Sequence, residues 1–304
     1  MTFRPAPAVL ALLAVLAPAA ASAAPDAEAA APRPETLIRT IVLDPGHGGE
    51  EVGAVGKSGL LEKDLCLDIA RRLQERLTRN QKVNVLLTRE EDRLVPLRER
   101  TAIANHAKAD IFISVHLNSS RRASAHGTES YFLALTASDE EALILAQAEN
   151  IGAAVPGGEP AAGNGAAAGQ TNGSAAAPPP AGAADSNQSV SDLDLVLGGM
   201  AQSEHIVRSS RLAEVIQDEM NRLLNVQSRG VKQAPFSVLM GATMPSALVE
   251  VAFLSNESEE KMLATPEFRD KVAEALEIAI VRFKYETEKA LTAAPDQTGA
   301  EPLP

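Results

Sequence analysis

Three short runs, Ile41-Val42-Leu43, Ile111-Phe112-Ile113-Ser114-Val115 and Ala247-Leu248-Val249, are apolar without regular polar alternation, and Val83-Asn84-Val85-Leu86-Leu87 lies between the first two. Strands of this kind need cover on both faces, which restricts the chain to a sheet wrapped by helices. The intervening segments supply them. Leu61, Leu65, Ile69, Leu73 and Leu77 recur every fourth residue with arginines and Glu75 between them, an amphipathic helix. Pro96 stands where a first helical position is expected for a helix over 97–107. Further helices are predicted over 205–224 and 266–285 from their apolar spacing. The alternation predicts a three-layer α/β/α domain with a mixed, mostly parallel central sheet and helices on both faces.

This periodic sequence is interrupted once. From Gly152 to Ala184, 13 Ala, 8 Gly and 5 Pro leave too little side chain to bury, so an inserted linker is expected. The expected organisation is a signal peptide over 1–23, a spacer over 24–40, a catalytic domain over 41–285 carrying an insertion over 150–204, and a disordered tail over 286–304. The first segment has Arg4, an apolar stretch from Val9 to Leu16 and a small-residue exit at Ala21-Ser22-Ala23. It reads as a cleavable export signal, too short to span a bilayer. Residence in the periplasm or outside the cell follows as an expectation.

Charge and cysteine content narrow the chemistry. With 28 Lys and Arg against 40 Asp and Glu, the net charge of −12 argues against nucleic acid or an anionic membrane as partner. A single cysteine, Cys66, excludes an intrachain disulfide framework and a multi-cysteine zinc module. Cys66 falls mid-helix and reads as a small buried hydrophobe. The remaining reactive groups collect at strand ends: Asp44-Pro45-Gly46-His47-Gly48-Gly49 after the first, His116-Leu117-Asn118 at the third, Glu250 at the last. In open α/β sheets ligands bind beyond the carboxyl ends of the strands, so His47, His116 and Glu250 can converge. Glu62 opens the first amphipathic helix. Two imidazoles and one carboxylate suit a catalytic zinc, which keeps one position open and acidifies water. A second carboxylate, for which Glu250 is the natural candidate, can then carry the proton. His106, His126 and His205 are read as structural or solvated, and Arg100 and Asn105 as supports for the connection into the third strand. Asn118 and Ser119 are placed to hydrogen-bond substrate.

The segments IVLDPGHGGEEVGA, GLLEKDLCLDIARRL, TREEDRLVPLRERTAIAN, ADIFISVHLNSS and PSALVEVAFLSN together resemble the zinc-dependent N-acetylmuramoyl-L-alanine amidases of the cell-division type. The resemblance covers about Ile41 to Leu133 and Ile206 to Phe283. It implies zinc held by His47, Glu62 and His116, one ion per chain, with Glu250 catalytic. The implied reaction is hydrolysis of the amide between N-acetylmuramic acid and L-alanine in peptidoglycan. Two positions depart from the family pattern, Glu51 for Asp and Ala252 for Gly. The resemblance also implies a regulatory segment that covers the metal until an activator, typically a degenerate LytM-type protein, withdraws it. Ser191-Asp192-Leu193-Asp194 reads as the start of a short amphipathic helix in that segment. Glu149, Asp192, Asp194 and Glu204 are the candidates for an inhibitory ligand. Two other readings stay open: a catalytically silent peptidoglycan-binding scaffold, and a zinc peptidase acting on another bond of the stem peptide.

Overall fold

The computed structural model describes residues 38–122, 124–151 and 192–292, with the side chains of 205–290 in the last stretch. The expected signal peptide, most of the spacer, the Ala/Gly/Pro linker and residues from 293 on lie outside the described residues. Six strands form one sheet: β1 (Thr40–Pro45), β2 (Asn84–Leu87), β3 (Ile111–Asn118), β4 (Thr128–Leu133), β5 (Ser228–Ala234) and β6 (Ser246–Phe253). Their order is β2-β1-β3-β6-β4-β5. All neighbours are parallel except β4 and β6, which are antiparallel, giving the mixed, mostly parallel sheet the sequence predicts. The two central strands β3 and β6 are buried along their whole length, as apolar runs without alternation require.

The helices are α1 (Glu62–Gln81), α2 (Leu97–His106), α3 (Glu140–Ile151), α4 (Asp192–Leu224), α5 (Glu257–Ala264) and α6 (Pro266–Thr292). One core, between the sheet and α1, α4 and α6, joins Leu65, Ile69, Leu73 and Leu77 to Ile113, Val115, Ile216, Val249 and Leu276. A second core on the opposite face joins Val42, Phe112, Tyr131 and Leu248 to Ala104 of α2, Ala142 and Ala146 of α3 and Phe236. Two cores on opposite faces make the three layers.

Four differences from the sequence reading have physical causes. β4 and β5 were not anticipated, because Thr128, Glu129 and Ser130 are polar yet buried and Gly230 interrupts the edge strand. α3 was also unanticipated; it borders the linker and carries no clean apolar stripe. The expected short helix at Asp192 is the beginning of α4, which continues unbroken to Leu224. α6 runs to Thr292, past the expected tail boundary at 286, because Glu286 is held by Arg211 at 2.9 Å and Arg282 at 3.1 Å. Pro96 is the N-cap of α2 rather than its first helical residue. Among the described residues no helix is long and apolar enough to cross a membrane.

Candidate functional site

The site lies at the carboxyl edge of β1, β3 and β6, where three strand ends and the start of α1 meet. His116 on β3 pairs in register with Glu250 on β6, and Glu250 pairs in register with Glu129 on β4. Residues opposite one another in a sheet share a face, so these three form a row across adjacent strands about 4.8 Å apart. The register shifts immediately after His116. Such irregularities free backbone groups from the ladder, and the Leu117 amide donates to Glu62 Oε1 at 2.9 Å. The Ala54 amide donates to Glu62 Oε2 at 2.7 Å, so two backbone donors fix that carboxylate.

His47 is delivered by a turn that the chain would not adopt unaided. Its φ is +57°, in the left-handed region, which costs a non-glycine residue about 1–3 kcal/mol. Two buried arginines hold the turn. Arg89 donates to the carbonyls of Gly46 and Lys63, both at 2.7 Å. Arg100 donates to the carbonyls of Pro45 at 2.8 Å and His47 at 2.9 Å, and to Asp44 Oδ1 at 2.9 Å. Asp44 also accepts from Thr88 and Ser114. Arg100 therefore supports the His47 turn itself, rather than only the connection into β3. Gly46 is required because a Cβ there would lie 2.6 Å from the His116 ring. At Gly53, φ is +67° and a Cβ would meet both Glu62 and the His47 ring.

Arg100→Met removes one half of a pair whose side chains are 1 % and 0 % exposed. The stranded Asp44 is expected to cost about 3–5 kcal/mol, read as a lower urea midpoint with an unchanged slope.

The two imidazoles stand edge to face with ring centroids 4.9 Å apart. Glu62 Oε1 lies 3.1 Å from His47 Nε2 and 3.2 Å from His116 Nδ1. Glu149, on α3, completes the cluster, with Oε2 3.1 Å from His116 Nδ1 and 3.5 Å from His47 Nε2. Of the four residues considered as inhibitory ligands, Glu149 is therefore the one brought to these rings. The side chains of Asp192, Asp194 and Glu204 lie outside the described residues.

His47 Nε2 is buried and, although close to two carboxylates, has no well-directed hydrogen bond among the described residues; neither has either oxygen of fully buried Glu250. Burial pushes Glu250 well above the usual carboxylate range; His116 opposes this, while Glu149, Glu62 and Glu129 add to it. Burial would also raise Glu62, but the flanking imidazoles hold it well below that range. Burial would lower His116, yet Glu149 and then Glu62 raise it.

Three carboxylates around two imidazoles, in a pocket with orphaned polar atoms, fit a bound cation. Donors 2.0–2.1 Å from a tetrahedral zinc are about 3.3 Å apart, and the four carboxylate-to-ring contacts here span 3.1 to 3.5 Å. A cluster able to hold a metal is also formed by His47, His116 and Glu149, whose ligand atoms lie within 4.8 Å of one another.

Asn118 is buried beside the row, 3.4 Å from Glu129 Oε2. It lines a cleft of about 630 Å³ together with Ser119, Glu129, Arg229 and residues of α3. Glu129 and Arg229 were missed by the sequence reading. Thr128, Tyr131 and Phe132, residue types that favour strands, were the available signal for the strand that carries Glu129, with no hydropathy alternation to support it. His106 and His126 are exposed, and His205 borders a different cleft. Cys66 is buried in the core, where burial pushes its thiol up. Asn105 bonds Gly241 and Thr243, away from β3.

Comparison with known proteins bears on the family and the fold. The family model for N-acetylmuramoyl-L-alanine amidase, Amidase_3, matches residues 41–282. The chain is 35 % identical over 244 residues to N-acetylmuramoyl-L-alanine amidase AmiC of Neisseria meningitidis, covering 80 % of this chain and 52 % of that protein. It is 32 % identical over 246 residues to AmiA of Escherichia coli K12, covering 81 % and 76 %. The chain thus spans about half the length of the first of these relatives. Among solved structures, AmiC2 of Nostoc punctiforme superposes with a TM-score of 0.53 at 26 % identity, covering 81 % of this chain and 96 % of that one. The catalytic domain of CwlV from Bacillus (Paenibacillus) polymyxa superposes with a TM-score of 0.54 at 25 % identity, covering 81 % and 98 %. With the family model spanning both blocks of the sheet and the strand-end residues gathered at one edge, the chain belongs to the Amidase_3 family of N-acetylmuramoyl-L-alanine amidases.

Proposed function

We propose that this protein is a zinc-dependent hydrolase of the amide between N-acetylmuramic acid and L-alanine in peptidoglycan, acting in the bacterial cell envelope and held inactive by the helix that leads into its insertion. The observation that carries this reading is the convergence of His47 Nε2, His116 Nδ1 and Glu62 Oε1 within 3.2 Å contacts beside the unpartnered carboxylate of Glu250. The activity for which the family is named and the amidases compared above support the choice of bond.

His47, Glu62 and His116 would hold the metal. When bound, zinc supplies Lewis acidity that polarises the scissile carbonyl and acidifies water. Glu250 accepts the proton of the attacking water on a carboxylate oxygen and returns it to the departing L-alanine nitrogen. Its placement in register with His116 puts both residues on one sheet face. Asn118, two residues past His116 and lining the adjoining cleft, orients the peptide by hydrogen bonding.

Glu149 supplies the inhibition. Its carboxylate stands against both imidazoles, where a fourth ligand would exclude substrate. α3 is seated by Ala142 and Ala146 in the second core and by Asn150, which bonds the Pro235 carbonyl at 2.9 Å and the Ser237 amide at 2.7 Å. Two buried alanines, the Asn150 bonds and the partly exposed ion pairs of Asp139 and Glu141 make a small anchor, since exposed ion pairs contribute little, so α3 can leave at modest cost. An activator protein of the LytM type that binds the insertion would shift the chain to the open state, during daughter-cell separation or wall remodelling. The leader over 1–23 would direct the chain across the membrane.

The test is incubation of purified sacculi with the full chain and mass analysis of the soluble products. Stem peptides with a free L-alanine amino terminus are expected, falling to background with chelator and returning when zinc is added. Fragments cut at another bond would replace this reading with a peptidase, and bound zinc with no release, even in the Glu149→Ala protein, would replace it with a silent scaffold.

A further inference from the structure

The cleft beside the row contains a charge arrangement that catalysis does not require. Glu129, 2 % exposed, accepts hydrogen bonds from Tyr131 and Arg229 and lies 3.4 Å from Lys232 Nζ. The Arg229 guanidinium sits 5.2 Å over the Phe253 ring and reaches outward to Glu141 of α3 at 2.6 Å. Glu141 also meets Arg122 at 3.4 Å. Lys232 meets Asp139, which caps α3 by accepting from the Ala142 amide, at 3.2 Å.

With α3 in place Glu129, Asp139 and Glu141 face Arg122, Arg229 and Lys232, and Arg121 also lines the cleft. Asp139 and Glu141 belong to α3 and its cap, whereas the cations and Glu129 belong to the rest of the domain. Withdrawal of α3 leaves Arg121, Arg122, Arg229 and Lys232 with Glu129 as their carboxylate, an excess of positive charge at the cleft wall. A planar guanidinium stacked on an aromatic ring, with one edge already fixed by Glu129, is preorganised to bind a second carboxylate at its other edge.

We propose that Arg229, backed by Lys232, binds a carboxylate of the stem peptide during catalysis, and that Glu141 occupies the place of that carboxylate while α3 covers the site. The proposal rests on the reading of α3 as an inhibitory cover. α3 would then mimic substrate twice, with Glu149 at the reacting centre and Glu141 at the peptide-binding arginine. The two residues are eight positions apart, about 12 Å along the helix axis. That span places the recognised carboxylate on the third residue of the peptide, beyond L-alanine and its γ-linked neighbour. The ligand class is an acidic peptide with a free carboxylate on that residue.

The test is calorimetric titration of the full chain with two peptides, L-alanyl-γ-D-glutamyl-diaminopimelate as the free acid and the same tripeptide amidated on its third residue. Glu141→Gln is expected to tighten binding of the free acid about tenfold, the scale of one charge-assisted hydrogen bond, and to leave the amidated peptide unchanged. Adding Arg229→Gln should erase the preference for the free acid, and Arg229→Lys in its place should keep part of it. Equal effects on both peptides, or none on either, would overturn the proposal, since a purely structural Arg229 cannot distinguish a carboxylate from a carboxamide. Sacculus hydrolysis by Glu149→Ala reports separately on the inhibitory reading, so the two failures are distinguishable.

Discussion

Glu250→Gln is expected to lower turnover on peptidoglycan by about 10²–10⁴-fold, the usual contribution of a positioned acid-base group, while leaving the zinc content of the protein unchanged. The carboxamide keeps the shape of the side chain but cannot take a proton from water and pass it to the leaving nitrogen. Glu250 is 0 % exposed, and neither of its oxygens has a hydrogen-bond partner among the described residues. Such a group costs stability, because burial of an unpaired carboxylate is unfavourable. The metal-free Glu250→Gln protein is therefore expected to unfold at an equal or higher temperature than the parent. A loss of activity accompanied by a lower unfolding temperature and lost zinc would instead mark Glu250 as part of the scaffold. Activity within a factor of about three of the parent would remove it from the acid-base step, since groups in that role are worth at least ~10²-fold.

The second large effect has the opposite sign. Glu149→Ala in the full chain is expected to raise hydrolysis by about 10- to 1,000-fold. That range corresponds to a parent whose open state is populated at about 0.1–10 %. Removal of the carboxylate deletes the contacts of 3.1 and 3.5 Å to the two imidazoles, leaving α3 held by Ala142 and Ala146, the Asn150 bonds and the ion pairs of Asp139 and Glu141. Rates on purified sacculi without any added protein are the appropriate readout. An unchanged rate would mean that Glu149 does not limit access, and a rate that falls with the zinc content would make it a working ligand.

Much of the architecture could be read from the chain before its coordinates. Apolar runs without regular alternation marked β1, β2, β3 and β6; in β3 and β6, buried along their whole length, there is no room for polar alternation. Four-residue spacing of Leu65, Ile69, Leu73 and Leu77 marked α1, all four now in the principal core. The strand ends pointed to His47, His116 and Glu250, and the family resemblance added Glu62. Other parts were hidden for definite reasons. In β4 the polar side chains of Thr128, Glu129 and Ser130 turn inward to Gln217, Arg229 and one another's neighbours, so hydropathy gave no strand signal. Arg100 lies on α2 by sequence, but its length lets it cross to the first strand's end and hold the carbonyl of His47, a contact 53 residues away. The partnership of Arg229 with Glu129 and Glu141 spans 100 and 88 residues, and no local pattern announces it. Glu149 was one of four equivalent carboxylates in the sequence; only the placement of α3 against the second core singles it out.

The most direct test of the account is the crystal structure of the zinc-loaded full chain with an anomalous-difference map at the zinc edge. One peak is predicted within bonding distance of His47 Nε2, His116 Nδ1 and the carboxylates of Glu62 and Glu149, with Glu250 nearby and unbound. A peak elsewhere, or none at this cluster in protein that still releases stem peptides, would contradict it.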